Sequence, residues 1–289
     1  MKELGPIFKS IRESHKISLE KATGGEFSRS MLSRFENGQN DLSTQRFMTA
    51  LNNIHISLHE FERIAGLAEQ GFVAKTLKKI RQELSPETLE VLYQKQLTYY
   101  QKTQVTEDYL AAIIIRAHLV TFSSFDAEIG LLDVSDELTF LHDHLFSIDV
   151  WYSNEIALFA ATSPLFSSQI YRNYTEELVA RPDFTSLMTY NRDTMLTILL
   201  NGFLLCIAYR DFENTNYFNQ LIQDNYFKEN ETYKRIVYLY AKGELQYHLG
   251  KKEEGAKEMQ QAIDILRILD CHQSADYYQL ALDEVLEND

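Results

Sequence analysis

The chain has 289 residues, 45% of them hydrophobic, with a formal charge of −14. That length can bury one or two cores, and four Pro, eleven Gly and little strand-like alternation point to an all-α chain. Two cysteines, Cys206 and Cys271, exclude a disulfide framework and show no metal-ligand spacing, while the most apolar run, Thr197–Tyr209, broken by Asn201, falls short of the ~20 residues of a membrane span.

From the N-terminus, Leu4, Ile7, Phe8 and Ile11 form one helical stripe, with no signal-peptide pattern before it. Ser18 caps a short second helix that runs out at Gly24-Gly25. Phe27 then stands before Ser28, a hydroxyl N-cap, and the helix opened there runs through Arg29-Ser30-Met31-Leu32-Ser33-Arg34-Phe35-Glu36-Asn37 to Gly38. Leu32 and Phe35, three apart, turn inward, which leaves Arg29, Ser30, Ser33 and Arg34 for solvent or a ligand. Ser43 or Thr44 caps a fourth helix holding Phe47, Met48 and Leu51; Ser57 caps a fifth, with Leu58, Phe61, Ile64 and Leu67 facing inward. Five short helices in residues 1–68 predict a compact bundle whose second and third helices form a helix-turn-helix.

A short helix that opens with small polar and basic side chains suits the major groove, where hydroxyls and guanidinium groups meet base edges and N-terminal amides meet phosphate. Base-edge contact falls to Arg29, Ser30 and Ser33, and phosphate contact to Ser28, Arg34 and Asn37. Asn40, Ser43, Thr44 and Gln45, at the next helix start, add phosphate contacts; Met31 either touches a thymine methyl or packs. The charge distribution agrees: residues 1–70 hold nine basic and nine acidic groups, and residues 1–35 seven basic against four acidic, so the acidity lies in the remainder.

Ile11-Arg12, Ile17-Ser18, the Ser28–Gly38 helix and Leu58-His59-Glu60-Phe61 together resemble the Cro/CI-like (XRE) helix-turn-helix domain. The resemblance covers the first quarter of the chain and implies an ion pair, Arg12 with Glu36, between helices one and three. It departs at Leu19, where the family has Gln, and around Gly24-Gly25, where the turn is short or shifted by one residue. Both departures bear on DNA contacts from helix two, not on the fold.

Residues 69–84 read as a connector helix, and residues 85–289 as one regulatory and dimerisation domain of helix pairs. The helices are predicted near 72–84, 86–103, 106–122, 135–147, 151–161, 164–180, 190–209, 212–226, 231–249, 252–269 and 274–287. Gly243, Gly250, Gly255, Met259 and Ala262 fall in tetratricopeptide-repeat (TPR) register, so the array is TPR-like, a right-handed superhelix of helix pairs; an irregular bundle is the alternative.

Two polar residues interrupt strongly apolar helices: Arg116 within Ala111–Val120 and Asn201 within Met195–Ile207. Burying either without a partner costs several kcal/mol, so each has an internal partner or faces a wet groove. Tyr109 and Ile113 share the face of Arg116, and Thr194 and Ile198 that of Asn201. An amide can grip a peptide backbone and a guanidinium can fork onto a carboxylate, which makes this a candidate peptide site. Tyr152, Asn154, Tyr190, Asn191, Tyr238 and Tyr240 are weaker candidates. Nothing in the sequence supports catalysis, a cofactor or a metal; Cys206 reads as a core residue, and Cys271, at a turn, as the better candidate for oxidation or a covalent dimer.

An XRE helix-turn-helix followed by about 220 residues of TPR-like helices resembles the Rgg/GadR/MutR regulators. The resemblance rests on Ser33–Gly38, Asp41-Leu42-Ser43, Asn53–Phe61 and Trp151–Phe159. It implies a cytoplasmic, homodimeric transcription factor that binds promoter DNA at two half-sites and takes a short hydrophobic signalling peptide on the concave face of its array. Two other readings stand beside it. One is a peptide-controlled protein-binding module like the Rap-type TPR proteins, which has no need of the Ser28–Asn37 helix; the other is a repressor with no ligand.

Overall fold

The computed structural model describes residues 4–66, 71–82, 85–123 and 133–287, and among them every regular element is helical. The chain divides into two compact units, residues 1–70 and 71–289. The first holds α1 (Leu4–Ser14), α2 (Leu19–Thr23), α3 (Arg29–Glu36), α4 (Thr44–Asn53) and α5 (Leu58–Ala65). The second runs through α6 (Phe72–Ile80), α7 (Pro86–Thr103), α8 (Thr106–Ser123), α9 (Ser135–Phe146), α10 (Ser153–Ala161), α11 (Ser168–Ala180), α12 (Phe184–Tyr190), α13 (Arg192–Ala208), α14 (Phe212–Asp224), α15 (Thr232–His248), α16 (Lys252–Ile268) and α17 (His272–Glu287).

In the first unit the hydroxyl caps set the helix starts. Ser18, Ser28, Ser43 and Ser57 each accept the backbone N–H three residues on, a device worth about 1 kcal/mol per helix. Ser43 rather than Thr44 is the cap of α4. Phe8, Leu32, Phe35, Leu51, Ile54 and Phe61 form the core, and Phe47 meets Phe61 edge to face at 5.0 Å. The inward face of α5 differs from the expected one: Phe61 and Ala65 are buried, while Leu58 and Ile64 are 40% and 52% exposed. Phe61 and Ala65 are four apart, so the buried stripe has that phase and the other two fall on its flanks. Leu67 lies outside the described residues.

The second unit is built of paired helices, with α7 on α8, α13 on α14 and α15 on α16. The segment read as a connector holds α6, whose Val73 and Ile80 enter the core of this unit. The expected helix at 164–180 is a 3₁₀ turn, Ser163–Leu165, followed by α11, because Ser167 supplies a fresh cap to the Ile170 N–H. A helix the sequence reading omitted, α12, follows Pro182. Its turn is pinned by Arg181, which forks onto Asp183 at 2.8 and 2.9 Å and donates to the Trp151 carbonyl at 2.9 Å.

Packing against α17 leaves one acid in an unusual place. Glu244 of α15 is largely buried, 3.9 Å from His248 and close to Tyr240, Tyr277 and Glu284; burial, reinforced by Glu284, pushes its carboxyl up to about 7. A raised carboxyl stabilises the fold below the unfolded value of 4.5 and loses that contribution as pH rises through about 7. Glu244→Gln is therefore expected to melt like the parent near pH 4.5 and at a higher temperature above pH 7. Calorimetry across that window checks it; parallel pH profiles for the two proteins would refute it.

Candidate functional site

Helix α3 is held from behind and open in front. Arg12 of α1 reaches Glu36 of α3 with two charge-assisted hydrogen bonds, Nε to Oε1 at 2.6 Å and Nη2 to Oε2 at 2.7 Å, and its Nη1 donates to the Ile17 carbonyl at 2.8 Å. Both side chains are buried, and the Glu36 hydrogen bond raises the Arg12 pKa against the opposing effect of burial. Gly5 lets α1 approach α3 closely: a Cβ there would overlap the Phe35 carbonyl.

On the open side Arg29, Ser30 and Arg34 are exposed and Ser33 is half-buried. Arg29 makes one loose ion pair with Glu20, 3.6 Å apart, both side chains mostly in solvent. Arg34 lies back along its helix toward the Ser30 carbonyl at 3.4 Å. Asn37 donates to the Ser33 carbonyl at 2.9 Å and accepts from Lys9 Nζ at 3.3 Å. The hydroxyl of Ser28 is occupied as the cap, accepting the Met31 N–H at 3.2 Å. Asn40, Ser43, Thr44 and Gln45 are exposed at the start of α4. Two cations missed by the sequence reading join them: Lys9, beside Asn37, and Arg46, whose guanidinium lies 3.5 Å from the Met31 sulfur. Arg46 was legible as a basic residue in the first turn after Ser43; Lys9 is brought in only by the fold.

The polar interruptions of the helical body both have internal partners. The Asn201 amide nitrogen donates to the Ala160 carbonyl and to Ser163 Oγ, each at 3.0 Å, and ties α13 to the end of α10 and to the 3₁₀ turn. Arg116 lies over the Tyr93 ring at 5.0 Å, between Glu90 at 3.6 Å and Glu137 at 3.8 Å, and donates to the Asp133 carbonyl at 3.2 Å. Tyr93 in turn donates to Glu137 at 2.5 Å; burial and that hydrogen bond drive its phenol pKa well upward. The Arg116 Nε is buried and makes no hydrogen bond. Around this cluster Tyr109 stacks on Tyr100 at 4.8 Å and meets Phe140 at 4.6 Å. The 3₁₀ turn packs on both α8 and α13, so it stands between the Arg116 and Asn201 helices.

The weaker candidates are not one cluster. Ile113 and Ile198 are fully buried and act as packing, while Thr194 and Asn191 are half-buried. Tyr152 and Tyr190 are 70% and 86% exposed and Asn154 is exposed; Ser153 donates to Asn191 at 2.9 Å, which brings this group together. Tyr238 and Tyr240 are buried elsewhere, the first bonded to Asn219 and Gln223 at 2.6 Å each, the second packed on Tyr278 at 4.7 Å. Residues three to four apart on one helix share a face, but side chains on separate helices meet only where the packing brings them.

Cys206 is buried, and burial pushes its thiol up to about 12, so it is unreactive. Cys271 is half-buried with its sulfur 3.6 Å from the Leu269 carbonyl. Among the described residues no three His, Cys, Asp or Glu side chains gather as a metal site, and no helix is long and apolar enough to cross a membrane.

Comparison with known proteins agrees with this architecture. The chain superposes on the pheromone receptor Rgg2 of Streptococcus dysgalactiae with a TM-score of 0.74 at 23% identity, covering 97% of this chain and 99% of that one. A candidate transcriptional regulator from Listeria monocytogenes EGD-e matches with a TM-score of 0.77 at 19% identity over 99% and 98% of the two chains. PrgX in complex with cCF10 matches with a TM-score of 0.64 at 13% identity over 99% of each. At these identities the likeness establishes a shared fold: the helix-turn-helix unit followed by TPR-like helix pairs. The model of the C-terminal domain of the HTH-type transcriptional regulator Rgg matches residues 89–280, two thirds of the chain. The chain belongs to the Rgg family of HTH-type transcriptional regulators.

Proposed function

We propose that this protein is a cytoplasmic, homodimeric transcriptional regulator that reads promoter DNA with α3 and is controlled by a short hydrophobic peptide. The observation that carries the DNA reading is the exposed edge of α3, where Arg29, Ser30 and Arg34 face solvent while Arg12–Glu36 fixes the helix behind them. Ser33, Asn37, Lys9, Arg46 and the Asn40–Gln45 segment extend this edge toward the backbone of a duplex. Two such helices in a dimer address half-sites one DNA turn apart, about 34 Å. The peptide reading rests on the family, and on the pheromone receptors and the peptide-bound PrgX that share the fold. Asn201 and Arg116 are its anchors: Asn201 keeps its carbonyl oxygen as an acceptor, the Arg116 side chain is 14% exposed between Glu90 and Glu137, and Tyr109 and Thr194 supply adjoining surface.

The test is a gel shift on a duplex selected from a randomised pool. Arg29→Ala/Arg34→Ala should lose operator affinity by at least about 30-fold, since each base or phosphate contact is worth about 1–3 kcal/mol, with no change in melting temperature. An unaltered shift would remove α3 as the reading helix and favour a protein-binding module.

A further inference from the structure

The acidity of the second unit is interrupted at its start. Residues 71–104 carry six Lys/Arg against three Asp/Glu, a net charge of +3, whereas residues 105–289 carry 13 against 30, a net charge of −17. The basic stretch spans α6 and α7. Lys79 at the end of α6, with Lys95 and Lys102 on α7, lines an open groove of about 880 Å³ whose other walls include Gln82, Thr98 and the exposed ring of Tyr99. None of the three lysines forms an ion pair among the described residues. The acid in the groove, Asp108, is occupied: Thr103 Oγ1 donates to it at 2.6 Å.

Isolated surface lysines are ordinary. Three unpaired ones around a single groove, in a body that is otherwise strongly negative, make a local positive potential that attracts a polyanion and confines its approach to this face. Lysine is a compact, strongly hydrated charge without the planar fork of arginine, so such a groove suits phosphates rather than base edges. The partner follows from position in the chain. Six residues separate the end of α5 from the start of α6, so the basic stretch directly follows the DNA-reading unit in the chain. We propose that the α6–α7 groove is a second DNA-contacting surface, which takes the phosphate backbone flanking the site read by α3 without regard to sequence. This rests on the DNA reading proposed above.

Operator affinity of the full chain against salt tests it, on a minimal duplex and on one extended by about a helical turn at each end. Each phosphate neutralised steepens the slope of log K against log salt by about 0.9, so Lys79→Gln/Lys95→Gln/Lys102→Gln should flatten the slope on the long duplex by about 3 per protomer engaged and leave the minimal duplex unchanged. Equal slopes for parent and variant on the long duplex would overturn the proposal. So would intact slopes accompanied by weaker binding of an oligoglutamate peptide, which would make the groove a peptide surface. Arg29→Ala/Arg34→Ala separates the two readings: it should weaken binding on both duplexes by about 30-fold or more, and if it does not, the α3 assignment fails independently of the groove. All three lysines are exposed, and an unchanged melting temperature for the variant excludes a folding effect.

Discussion

Arg12→Ala is expected to destabilise the N-terminal unit by about 3–5 kcal/mol, because it leaves the Glu36 carboxylate buried without its cation. The loss is not the worth of the pair. Removing both charges, as in Arg12→Met/Glu36→Leu, should restore much of the stability, since well-packed apolar groups replace a buried ion pair at little cost. The Ile17 carbonyl, which Arg12 also bonds at 2.8 Å, keeps the double variant slightly below the parent. Hydrogen exchange of the α1–α5 amides within the full chain is the readout. Exchange free energies lowered by less than about 1 kcal/mol in Arg12→Ala would mean that the apolar core alone holds α3 in place. DNA affinity should fall in both Arg12→Ala and Arg29→Ala/Arg34→Ala, but only the former should lose protection in α3.

Gly255→Val should cost about 3 kcal/mol or more and lower the melting transition of the second unit by roughly 6–12 °C. A Cβ at Gly255 would stand 2.5 Å from the Gly243 carbonyl oxygen and 2.6 Å from the Tyr247 nitrogen; one at Gly243 would stand 2.8 Å from both the Gly255 oxygen and the Met259 nitrogen. These are main-chain atoms, so no rotamer change relieves the overlap and α15 must move off α16. Gly250 is the control. It has a φ of +93° and nothing within 4 Å of an added Cβ, so Gly250→Ala carries only backbone strain, about 1 kcal/mol. Equal melting temperatures for the Gly255 and Gly250 variants would show that the close approach of α15 and α16 is not a constraint on stability.

Much of this was legible in local chemistry. Ser18, Ser28 and Ser57 announce three helix starts because a hydroxyl before an apolar-periodic run has one common use. Gly243 and Gly255 announce a close helix pair because their spacing places two residues without side chains opposite each other. The omitted helix α12 had no such signal: a Pro-Asp step reads as a break, and what turns the chain back into helix is Arg181, held by Asp183 and by a carbonyl 30 residues away. The peptide-site expectation shows the same limit. A helical wheel put Ile113 beside Arg116 and Ile198 beside Asn201, yet both isoleucines are fully buried.

The sequence by itself determined the helix-turn-helix unit and the basic edge of α3, which depend on residues close along the chain, and, through motifs that resemble known families, the Arg12–Glu36 tie and the membership of the chain in the Rgg family. Only the tertiary structure decided what each polar interruption does. It paired Asn201 with Ala160 and Ser163, set Arg116 among Glu90, Glu137 and Tyr93, and gathered Lys79, Lys95 and Lys102 around one groove. The physical reason is that burial and charge are satisfied in three dimensions: periodicity tells which face of a helix a side chain occupies, but only packing tells what stands opposite it.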